Sequence, residues 1–201
     1  MLLGIPQSEF TARVRRAIWV LLGEARNLRT ELERTRGLLR DAEQANDRDH
    51  LLPTMLNRRA FARELARQIA FASRYAMPTT LIYIDLDGLK IANDTHGHAG
   101  GDAVLAHFSA ILLGALRGSD LVGRLGGDEF GIILLHANEQ QAQSTCMRIA
   151  ELARDNPLEW QETKISIRFT FGTVQIAAGM NAAAALAAAD QAMYRNKSFR
   201  R

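Results

Sequence analysis

Four carboxylates stand where a fold could gather them for chemistry. Asp85 and Asp87 close the run Thr80-Leu81-Ile82-Tyr83-Ile84-Asp85-Leu86-Asp87, and Asp128 and Glu129 follow the pair Gly126-Gly127. Oxygen-only ligands of this kind suit a hard divalent cation, and a glycine pair lets phosphates approach the backbone closely. A turn carrying adjacent acids therefore points to a metal-nucleotide site. The plain alternative is a solvated hairpin tip.

The elements that must hold these acids can be read on either side of them. The β-branched and aromatic run before Asp85 reads as a buried strand. Alternation puts Leu81, Tyr83, Asp85 and Asp87 on one face and Ile82, Ile84 and Leu86 on the other. A carboxylate ending such a strand is costly unless paired, hydrogen-bonded or bound to metal. Asp87 precedes Gly88-Leu89-Lys90 and suits capping of the next helix, which leaves Asp85 in need of a cation. The glycine pair lies between Leu121-Val122 and Gly131-Ile132-Ile133-Leu134-Leu135, as in a two-residue hairpin turn with positive φ. On a regular strand Asp128 and Glu129 point to opposite faces, so only one readily joins Asp85; the sequence does not say which.

Upstream, Val14, Ile18, Leu21, Ala25, Leu28, Leu32, Thr35, Leu39 and Ala42 recur at alternating spacings of four and three. That narrow seam predicts a left-handed coiled coil over 9–48, rather than one helix lying on its own domain. Glu31, Glu33, Arg34 and Arg36 flank it and support helix and partner choice. The expected division is a dimerisation helix at 1–49 and a globular domain at 50–201. Within the latter, a helix is expected from 57 to 75, a strand over 79–86, a glycine-rich loop and a helix near 101–116. A hairpin follows at 121–135, then a helix at 139–154, a strand-rich stretch from Lys164 to Ala177 and an alanine-rich helix at 182–198. Helices alternating with strands and one hairpin imply an α/β domain with a mixed sheet.

Gly126-Gly127-Asp128-Glu129-Phe130 resembles the signature of the GGDEF-domain family, the diguanylate cyclases, which condense two GTP into cyclic di-GMP. The likeness covers about residues 50–201. Ile84-Asp85-Leu86-Asp87 with Lys90, Asn93 and Asp94 matches the family's strand-end metal motif. Gly97-His98 and Gly101-Asp102 match the loop after it. Leu56-Asn57-Arg58-Arg59 matches the motif that opens the domain, and Ala189-Asp190 with Tyr194 and Lys197 matches its last helix. Ordered motifs at compatible spacings are a specific signal.

The resemblance implies the palm-like βααββαβ nucleotidyl-cyclase architecture and a set of roles. Asp85, Asp128 and the Leu86 carbonyl become metal ligands for two Mg²⁺ per GTP, with Mn²⁺ an acceptable substitute. Asn93 and Asp102 read the guanine edge. Lys90, Lys197 and Arg201 neutralise the triphosphate that Gly126 and Gly127 let approach; Lys197 and Arg201 are four apart and share a helical face. Glu129 sits beside the reacting centre as a ligand or candidate base. One domain holds one GTP, so two must face each other, which gives the seam helix its meaning as a homodimer contact. Arg117-Gly118-Ser119-Asp120 is similar to the family's inhibitory RxxD site for cyclic di-GMP, and Arg148 takes the place of a second product-binding arginine. The family's Asp-x-Leu-Thr lead-in reads His50-Leu51-Leu52-Pro53 here, so either His50 replaces that aspartate or Asp49 substitutes after a one-residue shift. Gly88 and His96 stand where the family has aromatics.

Composition narrows the classes. The chain has 201 residues, 47% of them hydrophobic, enough for one domain with a core plus a helical extension. No apolar run reaches membrane-spanning length, and Met1-Leu2-Leu3-Gly4-Ile5-Pro6 lacks a signal-peptide pattern. The single cysteine, Cys146, reads as a buried thiol, and a bacterial cytoplasmic location is expected. A formal charge of +3 suits phosphate ligands, but no aromatic-plus-basic stripe suggests nucleic acid. The alternatives to an active cyclase are a weakly catalytic module that senses GTP or cyclic di-GMP for a protein partner, and a coiled-coil adaptor.

Overall fold

Packing divides the chain between Asn46 and Asp47 into two units. The computed structural model describes residues 11–45 and 47–198, and of residues 37–45 the backbone alone. The first unit is one helix, α1 (Ala12–Ala45), whose opening turn is capped by Thr11 Oγ1 accepting from the Val14 amide at 3.2 Å. Along it Leu21, Leu28 and Leu32 of the seam stay 63%, 65% and 49% exposed, a row that the helix alone cannot cover. The seam side chains Leu39 and Ala42 lie outside the described residues.

In the second unit the order is α2 (Arg58–Tyr75), β1 (Thr79–Asp87), α3 (Leu89–Ala115), β2 (Leu121–Arg124), β3 (Glu129–Leu135) and α4 (Glu139–Asp155). A small hairpin of β4 (Leu158–Trp160) and β5 (Thr163–Ile165) comes next, then β6 (Arg168–Gln175) and α5 (Ala182–Ser198). Asn57 caps α2 by accepting from the Ala60 amide at 2.9 Å, and Ala76 ends it in the left-handed conformation. Asn138 and Gln141 close a capping box on α4.

The main sheet runs β2-β3-β1-β6, with β3 and β1 as its inner strands. Every ladder in it is antiparallel, which corrects the expected mixed sheet; among the described residues the parallel pairing is one isolated bridge, Leu56 to Gly123. Helix–strand alternation misled because the two long connections do not return parallel strands to adjacent positions. The order from β1 to β6 keeps the βααββαβ pattern, because α3 is two helices joined at Gly97 (φ 71°, ψ 175°). The stretch expected as a glycine-rich loop is thus helical from Leu89, and only Gly97 breaks it. That backbone conformation is open to glycine alone at low cost.

The alternation read in β1 is borne out. Ile82, Ile84 and Leu86 pack with Phe108, Leu112 and Phe169 and with Cys146 and Ile149 of α4, and burial pushes the Cys146 thiol up to about 12. Leu81 and Tyr83 pack on the other face with Phe61, Leu65, Ala185, Ala189 and Met193. Glycines let the helices come down onto that second face. Gly123 and Gly131 are cross-strand partners, and a Cβ at either would lie 2.8 or 2.5 Å from the Phe61 ring, so they form its seat. A Cβ on Gly172 would lie 2.2 Å from the Met193 amide and 2.3 Å from the Ala189 carbonyl, so α5 lies backbone-to-backbone on β6.

Candidate functional site

The four acids read from the sequence stand on adjoining backbone where β1 ends and β3 begins. Asp85 and Glu129 are cross-strand partners in the β1–β3 ladder, and the Leu86 amide donates to the Asp128 carbonyl at 2.9 Å. Asp128 precedes the first residue of β3, so strand alternation does not govern it. Both acids after the glycine pair can therefore serve the same site as Asp85.

The turn itself differs from expectation. Residues 125–128 form a four-residue connection, and neither Gly126 nor Gly127 has positive φ. Gly126 is needed for space: a Cβ there would lie 2.3 Å from Glu129 Oε2, because that carboxylate folds back over the turn. A Cβ on Gly127 would meet no atom within 4 Å, which leaves this backbone open to an approaching group. The turn is braced by Arg124, whose Nε and Nη2 donate to the Gly126 and Gly127 carbonyls at 3.0 and 2.8 Å. Arg58 adds a bond to the Leu125 carbonyl at 3.0 Å and brings a guanidinium nitrogen to 3.9 Å from Glu129 Oε2.

Asp85 finds its cation within the chain. The Lys197 ammonium of α5 donates to the Asp85 carboxylate, and Asn196 Nδ2 ties the same turn of α5 to the Phe171 carbonyl at 2.8 Å. Lys197, read from sequence as a phosphate ligand, is thus at the strand-end carboxylates; Arg201 lies outside the described residues. Asp87 does not cap α3. The residue at that cap is Gly88 in the left-handed conformation with no side-chain bond, and Asp87 instead accepts from Thr170 Oγ1 at 3.3–3.4 Å. Thr170 is its diagonal neighbour on β6, a partner no local pattern reveals.

Lys90 is exposed on the first turn of α3, and Asn93 follows one turn later. The chain reverses at Gly97, and Gly101 returns so close to Asn93 that a Cβ there would lie 1.9 Å from its amide oxygen. Asp102 is next in the chain and exposed, and an amide with a carboxylate is the donor and acceptor set that suits a guanine edge.

Asp85, Asp128 and the Leu86 carbonyl are hard oxygen donors and fit Mg²⁺ or Mn²⁺. Among the described residues no group of three or more His, Cys, Asp or Glu side chains could hold a metal alone. Mg²⁺ sites suit that sparseness, since the ion keeps waters and takes phosphate oxygens besides one or two carboxylates.

Sequence reading missed three contributors: Arg124, Arg58 as a brace, and Tyr83. The Tyr83 hydroxyl faces the Glu129 carboxylate; burial first, then that acid, raises the phenol far above its ordinary range. Arg124 Nη1 also reaches Asp49 at 3.3 Å, while Asp49 accepts from the Leu51 and Leu52 amides at 3.0 and 2.9 Å. Asp49 therefore ties the start of the domain to the 125–128 turn. The signal was present in Asp49's position two residues before Leu51, an Asx-turn spacing.

Away from this site, Arg117, Asp120 and Arg148 line one cleft of about 440 Å³ with Leu134, His136 and Gln141. Asp120 accepts from the Arg117 amide at 3.0 Å and the Leu135 amide at 3.3 Å, so it fixes the turn. Arg148 donates to the Ala115 carbonyl at the end of α3 at 2.5 Å.

Residues 48–201 match the family profile "Diguanylate cyclase, GGDEF domain". The chain is 34% identical over 131 residues to the probable diguanylate cyclase DgcE of Escherichia coli, covering 65% of this chain and 12% of that protein. It is 33% identical over 145 residues to the diguanylate cyclase DosC of the same organism, covering 72% of this chain and 32% of that one. The chain thus spans a minor part of these relatives. Among solved structures, the coiled coil and GGDEF domain of DgcB from Caulobacter crescentus, in complex with c-di-GMP, superposes with a TM-score of 0.75 at 25% identity, over 89% of this chain and 95% of that one. A profile match across the whole globular unit, with the motif residues gathered at one pair of strand ends, places this chain in the GGDEF-domain diguanylate cyclase family.

Proposed function

We propose that this chain is a diguanylate cyclase that condenses two GTP into cyclic di-GMP and pyrophosphate across a homodimer formed through its N-terminal helix, in a bacterial cytoplasm. The observation that carries the reading is the convergence of Asp85, Asp128, Glu129 and Lys197 at the ends of β1 and β3. In this reading Asn93 and Asp102 hold the guanine, and the open backbone at Gly127 receives the phosphates. Lys90, Lys197 and Arg201 neutralise the triphosphate. Asp85, the Leu86 carbonyl and Asp128 hold the divalent ions, which supply charge stabilisation to the attacking and leaving oxygens. Glu129 stands beside the 3′ hydroxyl of the attacking ribose as ligand or base. The rest of the rate comes from holding two nucleotides face to face.

The exposed row Leu21, Leu28 and Leu32 supports dimerisation through residues 1–49, since a second helix would cover it. The cleft that gathers Arg117, Asp120 and Arg148 supports product inhibition by cyclic di-GMP, because guanidinium forks suit guanine and phosphate.

The test is incubation of the purified protein with GTP and Mg²⁺ across a range of protein concentrations. Cyclic di-GMP should form with a faster than linear dependence on protein, and Asp128→Ala should abolish it while melting like wild type. Undiminished turnover by a folded Asp128→Ala would sink the assignment. Tight GTP binding with no product would replace it by a sensing module that acts through a partner.

A further inference from the structure

Glu129 is a carboxylate among carboxylates. Asp85 lies directly across the ladder and Asp128 precedes it in the chain. Like charges this close push one another towards solvent, so a glutamate that must keep one orientation needs donors that hold it there. Two side chains reach it on that face, one from the sheet and one from α2.

Tyr83 comes from within the sheet. It is Gly131's partner on β3 and Gly172's on β6, so it is the diagonal neighbour of Glu129 on the same face. The room left by both glycines is taken, by the Phe61 ring at Gly131 and by the α5 backbone at Gly172. Tyr83 is 5% exposed in the cluster those groups form, and its hydroxyl faces the Glu129 carboxylate. Glu129, Asp190 and Arg58 are the charged groups around that phenol, and Glu129 is the one its hydroxyl bonds. Arg58 comes from the first residue of α2, with Nη1 3.9 Å from Glu129 Oε2 while bonding the Leu125 carbonyl at 3.0 Å. Gly126 completes the cradle by leaving the space into which Glu129 folds.

We propose that Tyr83 and Arg58 are positioning residues for Glu129, a neutral donor from the core and a cation from the rim that keep its carboxylate over the strand ends. The inference rests on the cyclase reading and deepens it. Both residues act through Glu129 without touching the nucleotide. Their loss therefore lowers turnover and leaves GTP affinity unchanged, because a displaced acid costs rate at the reacting centre.

Tyr83→Phe, Arg58→Gln and Glu129→Gln, with the double variants, are compared in steady-state cyclase assays and in thermal melts. Tyr83→Phe should lower kcat by about tenfold, the loss expected for one hydrogen bond to a charged group, and Arg58→Gln by about threefold, as suits an exposed ion pair, each with KM for GTP within about twofold of wild type. In the melts, the shift caused by Tyr83→Phe should shrink in the Glu129→Gln background, since the charge-assisted bond is there reduced to a neutral one. Wild-type kcat in both variants, a change confined to KM, or strictly additive melts would overturn the positioning role. If Tyr83→Phe fails to fold, Arg58→Gln carries the same kcat test, because that side chain is 71% exposed. An inactive wild-type protein overturns the cyclase reading instead, and the additivity of the melts still decides whether Tyr83 and Glu129 are coupled.

Discussion

The Lys197 ammonium meets the Asp85 carboxylate across the end of the sheet, although the two residues are 112 positions apart in the chain. What brings them together is the bare backbone of Gly172, on which α5 lies through Ala189 and Met193. Lys197 thus bonds the carboxylate proposed to hold the metal and is itself proposed to meet the triphosphate. Replacing it by alanine should raise KM for GTP by about tenfold with a smaller effect on kcat. Steady-state kinetics check this, and an unchanged KM would remove Lys197 from the phosphate site.

Gly172→Ala tests the docking of α5 itself. Its Cβ would collide with main-chain atoms, which cannot swing aside as a side chain does. A loss of about 1–3 kcal/mol in urea denaturation is expected, with a fall in activity as Lys197 moves off Asp85. Gly127→Ala, where no atom lies within 4 Å, should leave stability within about 0.5 kcal/mol of wild type.

Asp49 couples the start of the domain to the 125–128 turn, since Arg124 bonds it and two carbonyls of that turn together. Asp49→Ala removes three acceptor bonds and leaves Arg124 without its counter-charge. A loss of about 2–4 kcal/mol in stability is expected, accompanied by lower turnover. Intact stability in the variant would show that the turn is held by other contacts.

The Arg63 guanidinium, bonding both Asp47 carboxylate oxygens at 3.2 and 2.5 Å, holds Asp47 below its ordinary pKa of 3.8, against burial and with help from Arg59 and Arg48. A carboxyl with a depressed folded pKa contributes stability above its unfolded value and loses it as pH falls through the folded one. The pair should therefore be fully present at neutral pH and fade below about pH 4. Melting curves of wild type and Asp47→Asn should converge as the medium is acidified through that window; a constant gap would refute the assignment.

Arg117→Ala addresses regulation. Its guanidinium is exposed at the cleft shared with Asp120 and Arg148, whose own polar groups are engaged by main-chain atoms. The inhibition constant for cyclic di-GMP should rise about tenfold or more. Inhibition that persists unchanged would place the product elsewhere.

Local patterns determined much of this protein. The period-2 run before Asp85 fixed β1 and the face each residue takes, and capping at Asn57 and Asn138 set where α2 and α4 begin. The motif residues named the family, because their order and spacing survive in the chain whatever the packing. Tertiary structure alone decided the rest. The strand order, the antiparallel ladders, the pairing of Asp87 with Thr170 and of Lys197 with Asp85, and the bracing of the turn by Arg124 all join residues distant in sequence. The glycines make the same point: their value lies less in φ than in what approaches them. Gly126 makes room for Glu129, Gly131 for Phe61 and Gly172 for α5, and a missing Cβ gives no sign in the sequence of which neighbour will fill its space.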